Sequence, residues 1–199
     1  MQEIGILGAG LIGASWATFF AAQGLRVRIF DVNDTVKQQA QVQSVQNLQR
    51  LADLELISRK DAATAEEKLK VVDSLAELLT DVEYVQESVI EDYEIKANVY
   101  QQFEQYAPEA AILGSSSSGL LMTRMQTVMQ HPGRALIAHP FNPPHLIPLV
   151  ELVPGEQTAT ETMETVKAFF LGLGKHPVIL NREVPGHIAN RLAAAVWRE

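Results

Sequence analysis

The chain has 199 residues, 47% of them apolar and 20% charged, a balance that can bury one substantial core and excludes a disordered tail. A formal charge of -8 repels phosphate backbones and argues against a nucleic-acid partner, and no run approaches the ~18 apolar residues needed to span a membrane. With no cysteine, disulfides, thiolate nucleophiles and Cys-based zinc sites are excluded, which fits a cytoplasmic protein.

Short apolar runs alternate with helical patterns from the N-terminus onward. The runs read as strands are Ile4 to Leu7, Arg26 to Phe30, Lys70 to Val72, Tyr84 to Gln86, Ala111 to Leu113, Ala135 to Ala138, Val150 to Val153 and Pro177 to Leu180. This alternation predicts an α/β fold with a doubly wound, mostly parallel sheet and helices on both faces.

Directly after the first strand, Gly8, Gly10 and Gly13 form GxGxxG, and Leu11 and Ile12 within it open a helical pattern that runs to Gln23. Gly8 permits a tight turn, Gly10 lets backbone N–H groups approach a pyrophosphate, and Gly13 lets helix and sheet pack closely at the positive helix end. The second strand ends at Asp31, about 20 residues beyond the central glycine, where an acid that binds ribose hydroxyls is expected. A 2′-phosphate would meet a like charge there with no arginine immediately following, so NAD is preferred over NADP. An incidental glycine-rich turn, or the first turn of an adenosyl-dependent methyltransferase, is the alternative reading of the same spacing.

From Asp34 to Leu69 the sequence is rich in Gln and Ala and lacks Pro and Gly, which predicts two helices with a break near Ser58. Thr64 with Glu67 three residues on reads as a capping box. Further along, polar residues gather where strands should end: Ser115 to Ser118 with Gly119, then His139-Pro140-Phe141-Asn142-Pro143-Pro144, then Glu151 amid Leu149, Val150, Leu152 and Val153.

Oxidising an alcohol requires a base for the hydroxyl proton, and His139 titrates in the right range. A carboxylate on its far nitrogen would fix the tautomer, and Glu151 would be costly to bury without a partner, which His139 or a structural Arg or Lys could supply. His131, His145, His176 and His187 have no comparable context and read as structural or surface residues, and no metal-ligand spacing links them. After Pro185 and Gly186, Ile188, Leu192 and Val196 return to a helical period.

Four stretches carry a family resemblance: IAHPFNPPHLIPLVELVPG (Ile137 to Gly155), QESVIEDYEIK (Gln86 to Lys96), SSSSGL (Ser115 to Leu120) and VPGHIANRL (Val184 to Leu192). Together they resemble the 3-hydroxyacyl-CoA dehydrogenase family, in the branch that is also similar to lambda-crystallin, L-gulonate 3-dehydrogenase and L-carnitine dehydrogenase. The resemblance implies a Rossmann-type NAD-binding domain over residues 1–184. Residues 185–199 would be the first helix of a truncated helical C-terminal domain, which in the family covers the active site and forms the dimer interface. It further implies NAD-dependent oxidation of the 3-hydroxyl of an L-3-hydroxyacyl-CoA or related 3-hydroxy acid, in fatty acid metabolism, by a full-length homodimer.

By the same resemblance His139 is the catalytic base, Glu151 its partner, and Ser118 and Asn190 hold the substrate oxygen and reacting groups. Glu91, Lys96 and Asn142 match positions that contact the ribose and nicotinamide region of the cofactor, which Ser118 also reaches. The 199-residue chain is expected to bind NAD but turn over poorly without the remainder of the helical domain. The Gln-rich helix after Asp31 offers few cations for the phosphates of CoA, with Lys37, Arg50, Arg59 and Lys60 as the remaining phosphate contacts, and Ser117 and Gly119 match the gulonate and carnitine branch, so a small free hydroxy acid is the alternative substrate. A catalytically silent, crystallin-like NAD-binding protein is the alternative of another class.

Overall fold

A computed structural model describes residues 1–198; Glu199, the last residue of the expected C-terminal helix, lies outside it. Six strands run parallel: β1 (Glu3–Leu7), β2 (Arg26–Phe30), β3 (Leu69–Val71), β4 (Tyr84–Glu87), β5 (Ile112–Ser115) and β6 (Ala135–Pro140). Two more, β7 (Leu149–Pro154) and β8 (His176–Ile179), complete one sheet in the order β3-β2-β1-β4-β5-β6-β7-β8. β7 pairs antiparallel with β6, and β8 runs parallel to β7. The first six strands follow the 3-2-1-4-5-6 order of a Rossmann fold, which reverses direction between β1 and β4 and opens a crevice at their carboxyl ends.

Alternating strand residues feed two cores, one on each face. On one side Ile4, Ile6, Leu136, Ala138, Val150 and Leu152 pack against α1 (Leu11–Ala22), α2 (Asp34–Asp53), α3 (Arg59–Glu66) and α7 (Thr160–Gly172). On the other, Val85, Leu113, Ile137 and Val153 pack against α4 (Leu75–Leu79), α5 (Tyr93–Tyr106) and α6 (Met122–Met125). Trp16 of α1 is fully buried, stacks on Phe20 and packs at a tilt on Phe170, which ties the first helix to α7. A last helix, α8 (Ala189–Val196), follows the sheet and leaves Leu192 and Val196 exposed. No helix among the described residues is long and apolar enough to cross a membrane.

The segment after β2 does form two helices, but its capping differs from the expectation. Ser58 is the cap of α3: its Oγ accepts from Asp61 N at 3.0 Å and its hydroxyl donates to the Asp61 carboxylate at 2.7 Å. Thr64 caps nothing. It lies inside α3 and its hydroxyl donates to Lys60 O at 3.1 Å, because the helix starts at Arg59 and ends at Glu66.

Candidate active site

The turn after β1 is built from contacts that only glycine allows. Gly8 has φ +89°, donates its N–H to Phe30 O at 3.0 Å, and a Cβ there would lie 2.6 Å from the Ser88 backbone. A Cβ on Gly13 would lie 1.9 Å from Gly8 O. Gly10 differs from both: a Cβ there would meet nothing within 4 Å, so packing within the chain does not explain this glycine. Gly10 is also the N-cap of α1 and supplies no side-chain cap. The first N–H groups of the helix therefore face open space, as a bound pyrophosphate requires.

At the end of β2 Asp31 lies beside this turn, its two carboxylate oxygens accepting from Ala9 N at 2.8 Å and from Asn33 N at 3.0 Å. Each oxygen keeps a lone pair, so the carboxylate can still accept from ribose hydroxyls. The buried cation Lys37 is held by Asp34 at 2.8 Å and flanked by Asp73 at 3.8 Å, so its charge is already balanced. Leu11 is exposed at the mouth of the turn and Ile12 is half-buried behind it.

The carboxyl ends of β1, β4, β5 and β6 line up along the crevice. Ser88 after β4 and Ser116 after β5 share a hydrogen bond at 2.8 Å, and Gln86 donates both to Ser116 Oγ and to Ala138 O in β6. Beyond them the serine stretch wraps around Glu91. This carboxylate accepts from Ser117 Oγ at 2.6 Å and from Ser118 N and Gly119 N, both at 2.9 Å. Burial pushes the Glu91 carboxyl up, but the hydrogen bonds from Ser117, Gly119 and Ser118 and the charge of Lys96 outweigh it and hold the group below its ordinary value. Lys96 is buried and bonds Glu87 at 2.6 Å, with Glu91 at 3.7 Å. Glu87 in turn accepts from Ser115 Oγ at 2.7 Å.

His139 and Glu151 are paired across the antiparallel β6–β7 ladder, so both side chains project from the same face. His139 Nδ1 lies 2.8 Å from Glu151 Oε2, and both residues are buried. Since an ionised carboxylate only accepts, Nδ1 carries the proton and Nε2 presents a lone pair. The second carboxylate oxygen accepts from Ile188 N at 3.0 Å and Ala189 N at 3.1 Å, the entry to α8. Burial lowers the His139 pKa below its ordinary 6.5, partly offset by the hydrogen bond to Glu151, with His187 adding to the lowering.

Asn190, one residue further on, places Nδ2 3.5 Å from Ser118 O. His139, Glu151, Ser118, Asn190 and Glu91 thus form one cluster, while Asn142 is exposed on the loop between β6 and β7. That loop is pinned at two points. Lys175, a buried ammonium with its pKa lowered by burial to about 8, donates to Ile147 O at 2.8 Å and to Pro144 O. His145 N donates to Ser15 Oγ at 3.1 Å, attaching the same loop to α1.

One residue read from the sequence as structural or surface lies inside the cluster. His187 is buried, its ring centroid 5.1 Å from that of His139, and its Nε2 lies 3.0 Å from Ser117 O. Its only sequence signal is its place after Gly186, next to the backbone that holds Glu151. Lys96 differs in another way: its buried bond to Glu87, nine residues away, turns the ammonium toward the protein.

Residues 3–184 match the family described as 3-hydroxyacyl-CoA dehydrogenase, NAD binding domain. The chain is 36% identical over 199 residues to an L-carnitine dehydrogenase of Oceanobacillus iheyensis, covering 100% of this chain and 64% of that protein. It is also 36% identical to a lambda-crystallin homolog of Mus musculus, over 98% of this chain and 61% of the relative. It therefore spans less than two thirds of the length of these curated relatives. Among solved structures, (S)-3-hydroxybutyryl-CoA dehydrogenase from Ralstonia eutropha superimposes with a TM-score of 0.92 at 30% identity, covering 98% of this chain and 69% of that one. In fold, turn and sequence alike, the chain belongs to the NAD-binding domain family of 3-hydroxyacyl-CoA dehydrogenases.

Proposed function

We propose that this protein oxidises the 3-hydroxyl of a 3-hydroxy acid or its thioester to the ketone, with NAD as the oxidant. The observation that carries the reading is the 2.8 Å bond between His139 Nδ1 and Glu151, which leaves Nε2 free to take the hydroxyl proton. The imidazolium that forms is stabilised by the adjacent carboxylate. The Ser118 hydroxyl and the Asn190 amide would hold the reacting oxygen as it becomes a carbonyl. Bound NAD supplies the hydride acceptor, and Gly8, Gly10, Gly13 and Asp31 would hold its pyrophosphate and adenosine ribose. Glu91 and Lys96 would act on the nicotinamide end by fixing the Ser117–Ser118 backbone, with Asn142 at the crevice mouth.

In this reading residues 1–184 are the cofactor-binding unit, and residues 185–199 belong to a helical unit that docks on it through Glu151. The protein would be a homodimer, which its sedimentation checks.

One observation favours a free hydroxy acid over a CoA thioester. The cleft beside the glycine turn, about 590 Å³, is lined by Gln38, Gln39, Gln43 and Gln46 with Val36 and Val42, and no cation lines it. Two nearby cations are already paired, Lys37 with Asp34 and Arg59 with Asp53 at 3.0 Å, which leaves Arg50 in the adjoining cleft as the cation without an ion pair among the described residues. A polyphosphate would find little charge to bind there. Rates on free 3-hydroxy acids, carnitine among them, should exceed those on CoA thioesters of matching chain length, and the reverse order would exclude the free-acid reading.

The cofactor half is tested by titrating NADH and following its fluorescence. Asp31→Ala is expected to weaken NADH binding by about tenfold to a hundredfold, the worth of hydrogen bonds to a charged group. NADPH should compete poorly with wild-type protein. Equal binding of NADH and NADPH, or an Asp31→Ala variant that binds like wild type, would remove Asp31 from the ribose site.

A further inference from the structure

Beside the dyad, His187 combines two features that a protein seldom keeps without return. Its φ of 49° lies in the left-handed region, which is uncommon for any residue with a side chain, although histidine adopts it more readily than most. Its Nδ1 is also buried with no hydrogen-bond partner among the described residues, while Nε2 sits 3.0 Å from Ser117 O. A carbonyl only accepts, so Nε2 carries a proton. Strained backbone and unsatisfied buried groups concentrate where function fixes a side chain against its local preferences.

The surroundings show what this ring is fixed against. Its face packs on His139 with centroids 5.1 Å apart and planes inclined at 53°. The next two backbone N–H groups, Ile188 and Ala189, hold the far oxygen of Glu151. Its Nε2–H reaches the serine stretch that carries Ser118. One residue thus touches the base directly, its carboxylate through the chain, and the serine stretch through a hydrogen bond. We propose that His187 is a positioning residue, which closes the dyad off from water and locks the serine stretch and the start of α8 to it.

This inference rests on the reading of His139 as the base, but its test does not depend on turnover. The charged or titratable groups that bear on His139 are Glu151 from β7, Glu91 from the loop after β4 and His187 itself. Glu151 and Glu91 raise its pKa, whereas burial and His187 lower it. Removing the His187 ring admits water and removes the neighbouring imidazole, and both changes raise the His139 pKa. Unfolding would also raise it, toward 6.5, so the titration is read on variants whose melting curves show a folded chain.

The experiment is an NMR titration of the chain labelled at histidine, with the His139 signal assigned by its loss in His139→Gln. In His187→Ala the His139 pKa is expected to rise by roughly half a unit to one unit, a fraction of what full burial does to a histidine. His187→Phe keeps a ring of similar bulk without the nitrogens. A rise in the alanine variant alone assigns the effect to exclusion of water, and a rise in both assigns it to the imidazole as well; either supports the proposal. A His139 titration that stays put or falls in both variants overturns it. Should those variants not fold, His187→Asn tolerates the left-handed backbone and carries the same expectation of a rise, and an unchanged titration there overturns the proposal equally. If the substrate screen finds no hydroxy acid oxidised, the proposed function fails while this titration still reports on His187.

Discussion

On the proposed function, His139→Gln is expected to lower kcat for alcohol oxidation by about a hundredfold to ten-thousandfold, the usual worth of a positioned general base. The Kd for NADH should stay within about twofold, because the glycine turn and Asp31 lie at the other end of the crevice. Glutamine retains a hydrogen bond to Glu151 yet cannot take a proton, so the variant isolates the acid–base role from packing. Glu151→Gln should also lose turnover, since a neutral amide no longer stabilises the imidazolium. Its pH profile discriminates further. The Glu151 hydrogen bond and charge raise the His139 pKa against burial, so their loss should move the acid limb of kcat/KM to lower pH, even as kcat falls. Wild type should already show that limb below the ordinary histidine value of 6.5. A His139→Gln protein that keeps full kcat, or an acid limb that climbs in Glu151→Gln, would remove the dyad from the mechanism.

Much of this arrangement is legible in the sequence, and the parts that are not share a physical cause. The eight strands stand out because most are buried on both faces and read as unbroken apolar runs, such as Ala135 to Ala138. GxGxxG and Asp31 are legible because sterics and hydrogen bonding fix them locally, within one turn and the next strand. The opposition of His139 and Glu151 is different. It depends on β7 pairing antiparallel with β6, which is settled by the eight-residue loop Phe141 to Pro148 and its anchors Ser15 and Lys175. Neither anchor lies near the loop in sequence. His187 was hidden for the same reason, since a histidine after Gly186 shows no sign of packing on a residue 48 positions earlier. Thr64 failed in the opposite sense: the capping pattern was local and plausible, but Ser58 had already started the helix.

The glycine turn yields the second large effect, because its glycines serve different physical ends and should fail differently. A methyl group at Gly13 would sit 1.9 Å from Gly8 O, backbone against backbone, so α1 can accommodate it only by moving off β1. Overpacking of that kind costs about 1–3 kcal/mol, a fall in Tm of about 3–10 °C for a chain of this size, and it should abolish NADH binding by displacing the turn. Gly10→Ala meets no atom of the chain, so its melting temperature should stay within about 3 °C of wild type. NADH binding should nevertheless weaken by at least about tenfold, because the new methyl group fills the space through which a pyrophosphate reaches the N–H groups of α1. Thermal melts and NADH titrations of both variants separate the two roles. Undiminished NADH affinity in Gly10→Ala would show that the phosphates do not approach α1 there, and the open space above Gly10 would then have no cofactor to explain it.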